Sequence, residues 1–180
     1  MPMIPESNYS PKWSGERPTL PLTGDERSTL IAFLDWHRAT FELKCSGVAE
    51  DRLSDKSIEP SNLSMHGILR HLTGCERWWF GMQFAGEDLP MLYYSDDDPD
   101  QDFDSLDGDF GEALAAWRAE CDRSRTIVAG VSTLEQTGTR FRDGAAFSLR
   151  YLLVQMIAEY ARHNGHADLL RERIDGAAGV

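Results

Sequence analysis

The chain has 180 residues, of which 41% are hydrophobic and 27% are charged, a composition typical of one globular domain. Thirty acidic and eighteen basic residues give a formal net charge of −12 at pH 7. This charge repels nucleic-acid phosphates and anionic lipid surfaces, so neither is an expected partner. The three cysteines include no C-x-x-C pair, which favours a reducing cytoplasm over an exported, disulfide-bonded protein.

The N-terminal region differs in composition from the rest of the chain. Residues 1–22 hold five of the eight prolines and no periodic apolar pattern, which predicts an irregular arm. They also lack the continuous apolar stretch of a signal peptide, and no run of about 18 apolar residues occurs elsewhere. We therefore expect no membrane-spanning segment and a cytoplasmic domain over residues 23–176.

Two helices are predicted in the first half of the domain. The first begins at a capping box over Thr23–Glu26 and runs to about Val48. The second begins near Ser61 or Ser64 and ends near Ala85, because a glycine follows. Residues at helical spacing mark the buried face of the first helix: Leu30, Phe33, Leu34, His37, Phe41 and Val48.

The second half of the domain contains two further helices. Residues 86–107 show no period, and the third helix spans about 109–129. Residues 137–147 include an Asp-Gly pair that is typical of a tight turn, so we expect a short β-hairpin there. The last helix begins at Ser148 and runs to about Ile174. Four long helices with one long connection between the second and third predict an all-α four-helix bundle with a long crossover.

Polar side chains interrupt the buried face of the last helix. Gln155, Glu159, His163 and His166 all lie among the leucines that define this face on a helical wheel. Burying a carboxylate without a cation is costly, and His163 lies one turn from Glu159. The pattern therefore indicates a polar cluster inside the bundle, where such proteins build metal sites.

The second helix offers a further candidate ligand. His71 falls at the edge of its buried face, whereas His66 falls on the solvent side. Two imidazoles and one carboxylate with an open position are typical of catalytic zinc, or of another divalent first-row metal. The plain alternative also fits the spacing: each His is a hydrogen-bonded core residue, and the Glu–His pair only stabilises its helix.

The sequence around these residues resembles the DinB-like superfamily. More narrowly, it is similar to the DUF664 branch and to the mycothiol-dependent maleylpyruvate isomerases. The resemblance covers residues 20–175 and is carried by four segments: Ser148–Glu172, Leu34–Arg38, Leu69–Leu72 and Glu76–Trp78. It implies a four-helix bundle in which His71, Glu159 and His163 hold a divalent metal. Zinc is the expected ion, with nickel as an alternative.

The resemblance also implies an activity. In this family the metal ionises a low-molecular-weight thiol, mycothiol or bacillithiol, which attacks an electrophilic small-molecule substrate. With water in place of the thiol the same centre is a hydrolase, and a non-catalytic, stress-related metal protein is the other alternative. His166 and Gln155 are expected to support the ligands or face the substrate. The oligomeric state is open, with a homodimer as one option.

Other candidate residues have plainer interpretations. The eight aspartates within residues 96–109 begin like a calcium loop, but Phe103 replaces its Gly and Asp109 its Glu, which favours a solvated acidic loop. We expect Cys75 to be a small core residue. Of the adjacent tryptophans, Trp79 is expected in the core and Trp78 beside a pocket near His71.

Overall fold

The structure is a computed structural model that describes residues 13–138 and 145–178. Its long helices are α1 (Glu26–Cys45), α2 (Met65–Glu76), α4 (Phe110–Ala129) and α5 (Leu149–Ile174), and a short helix α3 (Gln101–Asp104) lies in the crossover. α2 continues without a break as a π-helical stretch, Arg77–Phe84. The described residues contain no β-strand, and the predicted all-α bundle with a long crossover is confirmed.

Each of the four long helices is preceded by a capping residue whose side chain accepts a hydrogen bond from a backbone amide in the first turn. Asp25, Ser64, Asp109 and Ser148 cap α1, α2, α4 and α5 in turn. The predicted capping box over Thr23–Glu26 is wrong. The Asp25 carboxylate accepts from the Ser28 amide at 3.0 Å and from its hydroxyl at 2.6 Å, and its charge also complements the helix dipole.

Helix ends follow local backbone geometry. α1 ends at Cys45, three residues before the predicted Val48, because Ser46 is extended and Gly47 adopts a φ of 70°. Val48 is nevertheless fully buried. The π-helical stretch ends at Phe84, and Gly86 follows with a φ of 72°, as the sequence pattern predicts for the end of the second helix.

The core lies between two helix pairs, α1 with α5 and α2 with α4. Its largest fully buried side chains come from both pairs: Leu34, Phe41, Leu69, Phe80, Leu152 and Tyr160. Most of the predicted apolar face of α1 is at least partly buried, but Phe33 is 36% exposed and does not belong to the core. Every helix among the described residues is too short or too polar to span a bilayer.

A buried polar network joins the four long helices. Arg38 on α1 binds Glu76 on α2 through two parallel hydrogen bonds, Nε to Oε1 at 2.8 Å and Nη2 to Oε2 at 2.7 Å. The Tyr160 hydroxyl on α5 donates to Glu76 Oε1 at 2.7 Å and accepts from Trp117 Nε1 on α4 at 2.8 Å. All four residues are at most 3% exposed. The Glu76 carboxylate therefore binds α1 and α5 directly and is linked to α4 through the Tyr160 hydroxyl.

The segment between α4 and α5 is only partly described. An antiparallel bridge joins Thr137 to Ser148, and the Gly138 amide donates to the Phe147 carbonyl at 2.9 Å. The predicted hairpin turn falls on residues 139–144, which lie outside the described residues. Of the predicted N-terminal arm, residues 13–22 contain no regular element.

His66 is buried, so its predicted position on the solvent side is wrong. It is 3% exposed, and it contacts Leu53 and Ser54, which follow the 3₁₀ turn Glu50–Arg52, and the ring of Phe110 at the start of α4. The His66 amide donates to the Leu53 carbonyl at 2.9 Å, and Nδ1 lies 3.1 Å from the Ser54 hydroxyl. A helical wheel of α2 does not reveal this cover, since it comes from a loop and from the first residue of α4.

Candidate metal centre

Side chains from α2 and α5 converge at one place in the bundle. Glu159 Oε1 lies 3.3 Å from His71 Nε2 and 3.1 Å from His163 Nε2. One donor atom from each of the three residues lies within 4.8 Å of the others. Glu159 and His163 are buried, whereas the His71 side chain is 26% exposed. The structure thus brings together the three residues that the sequence selects.

Asp102 holds His71 from the other side of its ring. Its Oδ2 accepts a hydrogen bond from His71 Nδ1 at 2.9 Å, and the residue is only 2% exposed. This contact fixes the imidazole with Nε2 directed at Glu159. The prediction of a solvated acidic loop is therefore wrong for Asp102, although its neighbour Asp104 stays exposed and pairs with Lys56 at 2.9 Å.

Close packing against α2 explains how α3 reaches His71. A Cβ on Gly67 would lie 3.3 Å from the Phe103 Cα, which is tighter than an ordinary contact, so any side chain here would shift α3 away by a few tenths of an ångström. The Phe103 ring then stacks on the His71 imidazole with a centroid distance of 5.1 Å. Arg70 also donates to the Ser105 carbonyl. These contacts place Asp102 beside His71.

The charges in the cluster stabilise one another. Hydrogen bonds from His163 and His71, with the Arg162 guanidinium at 3.0 Å from Oε2, hold the pKa of Glu159 well below its usual range. Burial on its own lowers the pKa of His71, but hydrogen bonding to Asp102, Cys75 and Glu159 outweighs it and raises that pKa to about 12. Glu159 is thus an ionised, partnered carboxylate, as the buried face of α5 requires.

Two other residues that the sequence selects, His166 and Gln155, lie near the cluster. His166 Nδ1 lies 3.4 Å from His163 Nδ1, on the side of that ring opposite Glu159. Burial, followed by the neighbouring His163 and Arg162, lowers the pKa of His166 and so favours its neutral form at pH 7. Gln155, one turn before Glu159 on α5, is partly buried.

An open cavity of about 370 Å³ adjoins the cluster. His71 and Cys75 form one part of its wall, and Cys75 Sγ lies 3.4 Å from His71 Nε2. Cys75 is partly buried and packs against the core, in agreement with the prediction, and it also lines the cavity beside the cluster. Trp78 lines the cavity as expected, and Trp79 lines it too instead of lying fully in the core.

The cavity wall depends on the π-helical geometry and on one glycine. The Ala85 amide donates to the Phe80 carbonyl, five residues earlier, and this wider winding carries both tryptophans. On the facing segment, Tyr94 packs so closely on α2 that a Cβ on Gly74 would lie 2.7 Å from its ring. The cavity is therefore enclosed between the end of α2 and the crossover.

The donor set fits a divalent metal ion. Two imidazole nitrogens and one carboxylate oxygen are the protein ligands of many catalytic zinc sites. His71 already carries the outer carboxylate partner that is usual for metal-binding histidines. Cys75 Sγ lies beside His71 but outside the group of mutually close donor atoms, so three candidate donor residues converge rather than four.

The bundle and its His–Glu–His cluster together define a DinB-like protein, a class of metalloproteins. The chain belongs to the mycothiol-S-transferase family, whose model matches residues 29–176, and its function is of that type. Comparison with curated proteins and with solved structures found no match. The narrower similarity to the DUF664 branch and to maleylpyruvate isomerases stays a prediction.

Proposed function

We propose that this protein is a metal-dependent S-transferase that joins a low-molecular-weight thiol to an electrophilic small molecule. The observation that carries the proposal is the convergence of His71 Nε2, Glu159 Oε1 and His163 Nε2 beside an open cavity. A cavity of about 370 Å³ is within the range of small-molecule sites. Three ligands with adjoining open space favour catalysis over a purely structural site.

The residues have distinct roles in this proposal. His71, Glu159 and His163 hold the ion, and zinc suits this donor set best. A divalent ion held there supplies positive charge that lowers the pKa of a bound thiol and so yields a nucleophile at neutral pH. Asp102 positions His71, and His166 positions His163 from the far side of its ring. Glu159 offsets part of the ion's charge.

The cavity beside His71 provides the place where the electrophile meets the thiolate. Trp78, Trp79 and Tyr94 give it large apolar surfaces that exclude water from the reacting sulfur. The protein thus contributes the ligand geometry and an apolar cavity wall. In the transfer the thiol releases its proton to solvent, the carbon–sulfur bond forms, and the bond from that carbon to the leaving group breaks with its electron pair leaving on that group.

We expect the purified enzyme to conjugate mycothiol to a reactive aryl halide, with release of one halide ion for each carbon–sulfur bond formed. Chelation should abolish this activity, and one equivalent of zinc should restore it. Product formation measured by chromatography checks both points, with bacillithiol as a second thiol. Activity that survives complete metal removal would contradict metal dependence, and ester hydrolysis without thiol transfer would assign the centre to a hydrolase.

We expect Asp102→Asn to weaken zinc binding by about 10–100-fold, because the amide holds the His71 ring less strongly than the carboxylate does. A competition titration with a chromogenic chelator measures the affinity. Asp104→Asn is the matched control, since Asp104 lies on the same short helix but faces Lys56. Equal affinities for both variants and the parent would show that Asp102 does not position a ligand.

A further inference from the structure

The two carboxylate oxygens of Glu159 face different partners. Oε1 lies 3.3 Å from His71 Nε2 and 3.1 Å from His163 Nε2, among the candidate metal ligands. Oε2 instead accepts a hydrogen bond from Arg162 Nη1 at 3.0 Å. The Glu159 side chain is only 10% exposed, so side chains rather than bulk water determine how this carboxylate is oriented.

This division decides how Glu159 can bind an ion. Carboxylates coordinate metals through one oxygen or through both. In a catalytic zinc site, three protein ligands leave the fourth position for water or substrate. If Oε2 also turned to the ion, it would occupy the position that the proposed function reserves for the thiol. The hydrogen bond from Arg162 opposes this turn, because Oε2 would have to give up a charge-assisted contact.

Arg162 contributes little to the fold. It lies one helical turn after Glu159 on α5, and its side chain is 59% exposed. Among the ion pairs of residues 13–138 and 145–178, it takes part in this one alone. Exposed pairs at this helical spacing stabilise proteins only weakly. Removal of Arg162 should therefore affect the metal centre much more than the stability of the bundle.

We infer that Arg162 is a positioning residue: it holds Oε2 so that Glu159 offers a single oxygen, Oε1, to the ion. This keeps one coordination position accessible to a thiol. Only the consequence for thiol binding rests on the proposed function, because the restriction on Glu159 requires just that the cluster holds an ion.

Arg162→Met tests the inference in the full-length protein loaded with cobalt. The variant has no donor for Oε2, so we expect Glu159 to bind through both oxygens and the ion to become five-coordinate. The visible d–d bands of cobalt depend on coordination number, and their intensity should fall by about twofold or more. The affinity for mycothiol, titrated on the sulfur-to-metal charge-transfer band, should fall by about tenfold or more, as is usual when an outer partner of a ligand is lost.

Two matched variants separate this role from a general effect of charge on α5. Arg162→Lys keeps a cationic donor, so it should retain the spectrum of the parent and its mycothiol affinity to within about threefold. Arg173→Met removes an exposed arginine of the same helix that contacts the Ser57 carbonyl instead of the cluster, and it should change neither measurement. All three variants should unfold within about 2 °C of the parent, because exposed ion pairs contribute little.

The outcomes distinguish this inference from the proposed function. If Arg162→Met keeps the band intensity and the mycothiol affinity of the parent, the contact is a surface ion pair and the inference is overturned, while the proposed function stands. Weaker d–d bands in Arg162→Met, together with a parent protein that transfers no thiol, would uphold the role of Arg162 and overturn the proposed function. A parent protein that binds no cobalt would overturn both.

Discussion

We expect His163→Ala to abolish stoichiometric binding of a divalent metal while the bundle stays folded. The substitution removes one of three ligands, a larger change than the loss of an outer partner, so affinity should fall by more than about 100-fold. Glu159 keeps two cationic neighbours, Arg162 at 3.0 Å and His71 at 3.3 Å, so it does not become an isolated buried charge. The fold therefore survives the loss of the ligand.

Elemental analysis of protein purified without an affinity metal measures this effect, and circular dichroism checks the fold. His66→Gln is the matched control, because His66 is also a buried histidine, on α2, but contacts Ser54 and Phe110 rather than the cluster. Full metal occupancy in His163→Ala, or loss of metal in His66→Gln alone, would show that the ligands lie elsewhere.

The second large effect concerns stability rather than binding. We expect Glu76→Ala to lower the free energy of unfolding by about 3–5 kcal/mol, because it breaks the fully buried ion pair and leaves the Arg38 guanidinium with the partly exposed Asp35 as its remaining carboxylate. The Tyr160 hydroxyl loses its acceptor at the same time. Urea denaturation followed by tryptophan fluorescence measures the change.

A double variant distinguishes the cost of an unpaired buried charge from the cost of a smaller side chain. Arg38→Met combined with Glu76→Leu replaces the ion pair by apolar groups of similar size, so it should be more stable than Glu76→Ala alone. If Glu76→Ala costs less than about 1 kcal/mol, or the double variant is the less stable of the two, the buried pair does not hold the four helices together.

Much of the fold could be predicted because helical periodicity and capping are local signals. Ser64 and Ser148 cap their helices, and α4 and α5 span nearly the predicted residues, since each helix presents an apolar stripe to one core. The convergence of His71, Glu159 and His163 follows the same rule. A polar group within an otherwise apolar stripe must face a partner inside the bundle.

The features that could not be predicted depend on contacts between distant segments. Asp102 lies in a segment without a periodic apolar pattern, and the aspartates around it are typical of a solvated loop. The combination of Phe103 within that acidic run and Gly67 on α2 is the one local indication that the crossover docks there. The burial of His66 is invisible for the same reason, because a loop and the first residue of α4 cover it.

The roles of Glu76 and Arg38 could not be predicted for a different reason. Both lie in the segments that carry the family resemblance, yet the sequence pattern indicates no role for either, because charged residues on helices are usually exposed. Their function is evident only from the bidentate contact that joins α1 to α2 and from the hydroxyl of Tyr160 that completes it. The Arg38–Glu76 pair therefore holds helices of the bundle together, and this role is distinct from that of the candidate metal centre.

Thiol binding at the centre can be observed directly by spectroscopy. With cobalt in place of the native metal, addition of mycothiol to the full-length protein should produce a sulfur-to-metal charge-transfer band, and His163→Ala should show none. The band requires both an ion held by His71, Glu159 and His163 and a coordination position open to sulfur. A cobalt-loaded parent protein that shows no such band with mycothiol, bacillithiol or any other cellular thiol would contradict the proposed thiol-activating centre.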